Sequence, residues 1–405
     1  MRILLIVVYY KPYTMSSANL IHDLALEYYR QGHEPIVLAP DENIPTDTQL
    51  TIEEGIKVFR IRTGEIKSAH KILRAYNEIK LSNIFWKKGK QFFNDNPCDL
   101  IIYYSPTIFW GALVKKLKRK FHCPSYLILG DIFPQWALEA GVLRKGMIYY
   151  YFKMKERQNY NAANIIRLQS PGNLPYFKKN GLDKKYHLEV VYNWMNLDRK
   201  VIRKGSYRNQ LGLQEKFVFF YGGNLGIAQD IDNIIRLAVR MKSESSAYFL
   251  LVGRGSEVIR LNSEIVSRGL TNISILDQVN ESEYLSMLSE FDVGLISLNR
   301  NLTSQNFPGK LMDYMYLSKP ILASINPGND LKELIEENGA GMVCINGEDE
   351  KFTEYALRLM TDSQLQDQLV RNARKLLDRT FSVSIAAKKI LSHFETDTNF
   401  SSLSR

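Results

Sequence analysis

Apolar segments of strand length recur along this chain of 405 residues, and amphipathic stretches of helix length separate them. This alternation predicts parallel sheets that are covered by helices on both faces. The first segment, residues 3–10, leads into a predicted helix at 18–31 that ends at Gly32. Further strands of the first half are predicted at residues 34–39, 58–62, 100–104, 125–129, 165–169 and 188–192.

The same alternation starts again after a polar stretch at residues 193–214. Because one hydrophobic core rarely serves more than about 300 residues, two domains are expected. We predict an α/β fold with two Rossmann-like, doubly wound domains, at residues 1–195 and 196–380. Residues 381–405 then add a polar tail and a last helix that is able to pack on either domain. Strands of the second domain are predicted at residues 217–221, 248–252, 273–276, 293–297, 321–323 and 341–344.

Several classes of protein are disfavoured by the composition. The longest clean apolar runs, such as residues 3–10, are far shorter than the ~20 residues that span a bilayer. The amino terminus shows no small-residue cleavage site of a secretory signal. Cys98, Cys123 and Cys344 lie far apart in the sequence and have no metal-ligand spacing, which fits a reducing compartment. We therefore expect a cytoplasmic protein.

Positive charge is concentrated in the first half of the chain. Residues 1–200 hold 30 Lys and Arg against 18 Asp and Glu, whereas residues 201–405 hold 23 against 25. The densest run is residues 115–120, with a second one at 87–90. Such a field attracts nucleic acid, a phosphate-bearing acceptor or an anionic membrane surface. Each cluster taken alone is equally explained as a solvated helix face.

A glycine-rich turn follows the first strand of the second half, in the run Phe219-Phe-Tyr-Gly-Gly-Asn-Leu-Gly-Ile-Ala-Gln-Asp230. Gly222, Gly223 and Gly226 allow the backbone to approach a ligand, and the N–H groups of the next helix favour a phosphate. The spacing differs from the dinucleotide fingerprint G-x-G-x-x-G. Turns of this kind also serve packing alone.

A second informative run is Gln305-Asn-Phe-Pro-Gly-Lys-Leu-Met-Asp-Tyr-Met-Tyr-Leu-Ser-Lys-Pro320. Its Pro-Gly pair predicts a loop before a helix, on which Lys310 and Asp313 are one turn apart. An ammonium suits a diphosphate, and a carboxylate suits the vicinal hydroxyls of a ribose. The alternative is an exposed ion pair within one helix.

Together, the two runs resemble the donor-site motifs of family-4 retaining glycosyltransferases, which adopt the GT-B fold. The resemblance implies that the two domains face each other across a cleft. The pattern is similar to that of bacterial transferases that build O-antigen and capsule, including those that handle N-acetyl-fucosamine. Further similarity lies, in order along the chain, at residues 32–34, 131–136, 170–172, 191–194, 251–255 and 381–383.

Two departures appear when the family's roles are carried onto this sequence. The family has Glu-x7-Glu in the second motif, where this chain has Gln305 and Asp313; Asp313 is implied to bind ribose, while Gln305 cannot supply charge. Asn224 and Gln229 replace an Arg and a Lys of many relatives. Lys310 is then the implied cation for the diphosphate, helped by Arg254 and the Gly223 amide. The implied donor-binding residues are Gly222, Gly223, Asn224, Gln229, Arg254, Gln278, Gln305, Phe307, Pro308, Gly309, Lys310 and Asp313.

The implied acceptor site lies in the first domain. Asp131 follows a predicted strand and is able to orient the acceptor hydroxyl or accept its proton, which makes it catalytic together with Lys310 and Asp313. Its alternative role is to cap the helix that begins near Pro134. The remaining implied acceptor-binding residues lie in the loop after the first strand: Tyr13, Ser16, Ser17 and Asn19. A role as helix N-cap explains Ser16 and Ser17 equally well.

Retention of anomeric configuration is the mechanism that the resemblance implies. A hexose or N-acetylhexosamine moves from a UDP-sugar to a saccharide on polyprenyl diphosphate at the cytoplasmic face of the membrane, and the leaving phosphate helps to take the acceptor proton. The basic first half is then expected to touch anionic headgroups or the acceptor diphosphate. No metal or other cofactor is expected, since a lysine and a helix N-terminus stabilise the diphosphate.

Three alternatives remain open from the sequence. A nucleotide-sugar epimerase shares the two-domain architecture, and a non-catalytic donor-binding subunit would explain Gln305. A nucleic-acid-binding protein would explain the charge, but no recognised module supports it. We therefore expect no nucleic-acid partner.

Overall fold

The computed structural model describes residues 1–13, 16–66, 71–105, 107–139, 141–199, 205, 207–302 and 307–395. It divides into two compact units. The first unit is Met1–Asn196 together with the segment that begins at Val383, and the second unit is Leu197–Ser382.

Eight strands form the sheet of the first unit, in the order β3-β4-β2-β1-β5-β6-β7-β8, and all neighbours are parallel except β3 and β4. The strands are β1 (Arg2–Ile6), β2 (Glu34–Asp41), β3 (Thr48–Glu53), β4 (Ile56–Arg62), β5 (Leu100–Ser105), β6 (Ser125–Leu129), β7 (Ile165–Leu168) and β8 (His187–Val190). The helices are α1 (Ser16–Arg30), α2 (Lys71–Lys88), α3 (Lys90–Asp95), α4 (Gly111–Phe121), α5 (Gln135–Glu139), α6 (Met147–Tyr160) and α7 (Leu174–Lys179).

Six parallel strands form the sheet of the second unit, in the order β11-β10-β9-β12-β13-β14. They are β9 (Phe217–Gly222), β10 (Ala247–Val252), β11 (Ile273–Leu276), β12 (Val293–Ser297), β13 (Ile321–Ile325) and β14 (Met342–Ile345). The helices are α8 (Tyr207–Gln210), α9 (Asp232–Arg240), α10 (Val258–Ser267), α11 (Glu281–Glu290), α12 (Lys310–Tyr316), α13 (Leu331–Glu337), α14 (Asp349–Thr361) and α15 (Ser363–Leu376).

The central strands are buried on both faces, which is why they read as continuous apolar runs in the sequence. Every residue of β6 and β12 is buried, for example. The prediction of two α/β domains built on parallel sheets is confirmed. Within the described ranges, no helix has the length and apolarity needed to cross a bilayer.

A last helix, α16 (Val383–Leu391), belongs to the first unit, where its apolar side chains join the core beside α1. The Val383 amide donates to the Met195 carbonyl at 3.0 Å, which fixes the start of the helix. Just beyond its end, His393 Nε2 lies 2.9 Å from Glu189 Oε1 on β8. Residues 383–394 therefore contribute to the first unit's core.

Two local features differ from the sequence predictions, and one contact could not be read from the sequence. Strand β1 ends at Ile6, although the next four residues are also buried. The antiparallel edge strand β3 was not predicted, because an edge strand with few buried side chains gives no apolar signal. Cys98 and Cys123, distant in sequence, bring their sulfur atoms to 3.9 Å as free, buried thiols.

Candidate active site

The glycine-rich run of the second unit makes a tight corner at the carboxyl end of the central strand β9. Gly223 has a φ of +130°, which glycine adopts without strain. A Cβ built on Gly253 would lie 1.8 Å from the Gly223 carbonyl oxygen, so the two loops meet backbone to backbone. Only glycine at position 253 allows this close approach.

Backbone hydrogen bonds hold the corner against the loop that follows β10. The Gly223 amide donates to the Val252 carbonyl at 2.9 Å, and the Leu225 amide donates to the Arg254 carbonyl at 2.9 Å. The Gly223 N–H, expected to help bind a diphosphate, thus completes the pairing of β9 with β10 in this structure.

Lys310, the first residue of α12, extends its ammonium group to this corner. Its Nζ atom lies 3.4 Å from the centre of the Tyr221 ring, and a Cβ on Gly223 would lie 3.4 Å from Nζ. The buried Tyr221 ring gives the ammonium a cation–π contact, and the Tyr221 hydroxyl donates to the Asn224 carbonyl at 2.8 Å. We call Tyr221, Gly223 and Lys310 the glycine-corner cluster.

Packing beneath α12 fixes the direction of its polar side chains. The buried Tyr314 hydroxyl donates to the Leu295 carbonyl on β12 at 3.0 Å. A Cβ built on Gly294 of β12 would lie 2.4 Å from the Tyr314 ring, so the glycine leaves the space that the ring needs. Lys310 lies one turn before Tyr314, so the anchored Tyr314 fixes the side of the helix from which Lys310 projects, and Asp313 lies one turn after Lys310.

Asp313 has a different partner from Lys310. Its Oδ1 atom lies 3.7 Å from Nη1 of Arg199, and the same Nη1 lies 3.3 Å from Glu281 Oε1. The Tyr316 hydroxyl donates a hydrogen bond to the Arg199 carbonyl. Lys310 and Asp313 form no ion pair with each other. The structure therefore does not contain the exposed ion pair within one helix that the sequence left open.

Burial changes the protonation of both groups. Burial raises the pKa of Asp313 to about 7; Arg199 and Lys310 oppose that rise, and Glu281 adds to it. Burial also lowers the pKa of Lys310 well below its ordinary value, with Asp313 opposing. An ammonium that has lost water gains more from a bound phosphate than an exposed one does, so the corner is suited to an anion.

Tyr284 on α11 also faces the carboxyl end of β9. A Cβ on Gly222 would lie 2.2 Å from its ring, so the glycine admits the tyrosine. Its hydroxyl oxygen is buried and has no hydrogen-bond partner in the described part of the chain. Burial raises its pKa, and Asp313 and Glu281 add to the rise, which puts this hydroxyl in the electrostatic field of the same site.

The other predicted donor-site residues are spread over the same edge of the sheet. The Asn224 amide donates to Gln229 Oε1 at 2.8 Å, so these two side chains bind each other. Arg254 and Gln278 are exposed after β10 and β11. Phe307 is buried, and Pro308 and Gly309 lead into α12, whereas Gln305 lies outside the described residues.

In the first unit, Asp131 follows Gly130 at the carboxyl end of β6. Its side chain is exposed, yet the surrounding protein removes enough solvent to raise the pKa of the carboxyl group. No described residue donates a hydrogen bond to the Asp131 carboxylate, so its alternative role as a cap of α5 gains no support. Three of the predicted acceptor residues after β1 are half-buried: Tyr13, and Ser17 and Asn19 of α1. The Ser16 side chain is not among those that the structure describes.

Sequence reasoning missed Arg199, Glu281 and Tyr284. Arg199 lies in a polar connection with no motif, and Glu281 and Tyr284 belong to α11, which carries no motif either. The one available signal was Gly222, since a glycine at a strand end indicates that another group approaches closely. Among the described residues, no group of three or more His, Cys, Asp or Glu is arranged to hold a metal ion.

Replacement of Arg199 by methionine is expected to raise the pKa of Asp313 further, by about one unit, because Arg199 is the first of the charges that lower it. The midpoint of the Asp313 titration then moves to higher pH. An NMR titration of the Asp313 carboxyl carbon measures it, with Arg268→Met as the control, since Arg268 pairs with Glu264 on an exposed helix. An unchanged or lower midpoint contradicts the assignment.

The glycine corner, Lys310 and Asp313 all fall within the part of the chain that matches a known family. Residues 204–376 match the model of the glycosyl transferases group 1.

Curated relatives extend the match into the rest of the chain. "Probable glycosyltransferase WbjE" of Pseudomonas aeruginosa is 26% identical over 223 residues, which is 54% of this chain and 55% of the relative. "Putative colanic acid biosynthesis glycosyl transferase WcaI" of Escherichia coli strain K12 is 28% identical over 262 residues, 62% of this chain and 63% of the relative. The chain thus spans less than two thirds of each relative.

Solved structures match almost the whole chain. Sucrose-phosphate synthase from Thermosynechococcus elongatus gives a TM-score of 0.71 at 16% identity. The match covers 97% of this chain and 98% of the synthase chain. Anabaena Alr3699/HepE in complex with UDP and glucose gives a TM-score of 0.69 at 17% identity, and the match covers 98% of this chain and 100% of HepE. At these identities the likeness establishes the fold.

Proposed function

We propose that this protein is a family-4 retaining glycosyltransferase that moves a sugar from a UDP-sugar to a lipid-diphosphate-linked saccharide. Its product belongs to O-antigen, capsule or another surface polysaccharide, in line with the name of the WcaI relative. The observation that carries the proposal is the desolvated Lys310 ammonium at the bare Gly223 corner, with Asp313 one helical turn away.

The donor is proposed to be a uridine nucleotide that carries an N-acetylated or deoxy hexose. HepE, a structural relative, forms complexes with UDP and with UDP-glucose, which supports uridine. The N-acetylated or deoxy sugar follows from the resemblance to transferases that handle N-acetyl-fucosamine, and from Gln305 where the family has a carboxylate.

In the proposed reaction, Lys310 neutralises the charge that develops on the departing diphosphate. Asp313, when ionised, accepts hydrogen bonds from the ribose hydroxyls and fixes the nucleoside, with Arg199 holding that carboxylate. Asp131 orients the acceptor hydroxyl, and the leaving phosphate takes its proton on the retained face. The protein's contribution is electrostatic stabilisation and positioning, and no metal is proposed.

The acceptor is proposed to reside on polyprenyl diphosphate, with the enzyme peripheral on the cytoplasmic face of the cell membrane. In the basic run 115–120, Lys118 donates to the Ala162 carbonyl at 3.0 Å and is a structural residue. Arg119 and Lys120 are exposed at the end of α4, and they are proposed to meet anionic headgroups.

Incubation of the protein with a panel of UDP-sugars and a lipid-diphosphate saccharide tests the function. Transfer with retained configuration supports the proposal. Interconversion of free donors without acceptor would show an epimerase, and UDP binding without turnover in the whole panel would show a binding subunit. Titration with GDP in place of UDP tests the base.

Charge reversal at the end of α4 tests the membrane contact. Arg119→Glu with Lys120→Glu is expected to weaken binding to anionic vesicles by at least about tenfold at low salt, since each cation near a charged surface contributes about fivefold. Sedimentation with vesicles measures it, and Lys178→Glu with Lys179→Glu on α7 is the matched control. Equal loss in both variants would mean that only net charge matters.

A further inference from the structure

A group of uncovered apolar side chains lies on α6 of the first unit and on the turn before it. Met147 is 90% exposed, Ile148 63% and Tyr150 64%. Tyr150 and the half-exposed Met154 follow Met147 by three and seven residues, so these three share one face of the helix. We call this face the α6 apolar face. Large apolar side chains that cluster outside a core mark an interaction surface.

The same surface extends to α5 through aromatic contacts. The Phe133 ring lies 5.1 Å from that of Phe152 on α6 and 6.2 Å from that of Trp136. Trp136 on α5 is itself 41% exposed, and Val142 in the intervening turn is 61% exposed. Tryptophan and tyrosine are the residues that favour the boundary between lipid and water.

A cavity of about 530 Å³ adjoins the α6 apolar face. Three cations line it, Lys115 of α4 and Lys153 and Arg157 of α6, beside Tyr150 and Met154 of the apolar face. No Asp or Glu is among the residues that line it. An opening of this kind suits an anion that carries an apolar group.

Two of the three cations are not neutralised by the protein. Lys153 pairs with the buried Glu156, and its Nζ lies 3.0 Å from the Tyr176 hydroxyl, so its charge is balanced internally. Lys115 and Arg157 are exposed and form no ion pair with any residue that the structure describes. The cavity therefore retains a positive charge next to apolar side chains.

We propose that α6 docks on an anionic lipid bilayer. The α6 apolar face and Ile148 enter the zone between headgroups and acyl chains, and the adjoining cavity receives the phosphate of a lipid headgroup. Helices that lie in a membrane interface combine these two features, an apolar face and flanking cations. The inference rests on the membrane location in the proposed function and adds to it an apolar anchor, separate from the basic end of α4.

Partition into phosphatidylcholine vesicles, with and without phosphatidylglycerol, tests the docking. Met147→Ser with Ile148→Ser is expected to reduce partition into the anionic vesicles at least about tenfold at low and at high salt, because apolar insertion is not screened. Lys115→Ser with Arg157→Ser is expected to reduce it at low salt and far less at high salt. The matched control is Ile259→Ser with Val266→Ser, two exposed apolar residues of α10 in the second unit.

Wild-type partition of the Met147→Ser, Ile148→Ser variant would overturn the proposal, as would equal loss in the α10 control. Binding of glycerol phosphate or inorganic phosphate without binding to anionic vesicles would show a soluble ligand and overturn it too. Absence of vesicle binding together with a stable complex with a protein would assign the face to that partner. UDP titration without vesicles reports on the proposed function separately, since it does not involve α6.

Discussion

Replacement of Lys310 by methionine is expected to lower the rate of sugar transfer by about 100- to 1,000-fold, the loss that follows removal of one group aimed at developing charge. The reason is the position of its ammonium, 3.4 Å from the Tyr221 ring and beside Gly223, where a diphosphate has no backbone amide of Gly223 to rely on. Methionine keeps the length and apolar packing of the side chain. Steady-state rates at saturating UDP-sugar measure the effect.

Lys242→Met is the matched control, because Lys242 is exposed just after α9 and remote from the start of α12. Its rate is expected to equal that of the wild type. The Lys310→Met protein should unfold at the same temperature as the wild type or above it, since a desolvated charge has been removed. Near-normal transfer by a well-folded Lys310→Met protein would contradict the assignment.

Asp313→Asn is expected to act in opposite directions on binding and on stability. Asparagine cannot supply a charged acceptor to the ribose, so UDP binding should weaken by about 10- to 100-fold. At pH 8 the free energy of unfolding should rise by about 1 to 2 kcal/mol, because burial makes the Asp313 carboxylate unfavourable in the folded protein. Calorimetric titration and thermal unfolding measure the two effects, with the exposed Asp367→Asn as control.

The pH dependence of the wild type has a definite sign. The pKa of Asp313 is about 7 in the folded protein and about 4 in an unfolded chain, so the folded state holds the proton more tightly. Its contribution to stability is full below about pH 4 and is lost as the pH rises towards 7. UDP binding changes the other way and weakens as the pH falls below about 7. Asp313→Asn should remove both dependences, and their persistence would assign them to other groups.

The fold was accessible from the sequence because its central strands are buried on both faces. Runs such as Phe217–Gly222 are continuously apolar and end at glycines, so their number and order along the chain could be read directly. The edge strand β3 could not be predicted from the sequence, since its exposed side chains form no continuous apolar run. Strand β1 was predicted too long because buried residues continue past its last hydrogen-bonded pair.

The candidate site was predicted in part. Lys310 and Gly223 belong to two motifs, and the structure brings them together because β9 and the helix after β12 share one edge of the sheet. Arg199 lies outside any motif, and its contacts with Asp313 and Tyr316 on α12 are tertiary contacts that no local pattern encodes. The Gly223 amide looked available in the sequence, but its pairing with Val252 is a property of the assembled sheet.

Affinities for UDP and for uridine, compared by calorimetry in the wild type and in Lys310→Met, test the central claim most directly. Wild-type protein is expected to bind UDP at least about 100-fold more tightly than uridine, since a desolvated ammonium pairs with the diphosphate, and Lys310→Met is expected to lose most of this ratio. Uridine binding itself should be the same in both proteins. Equal affinities for UDP and uridine in the wild type, or an unchanged ratio in the variant, would contradict it.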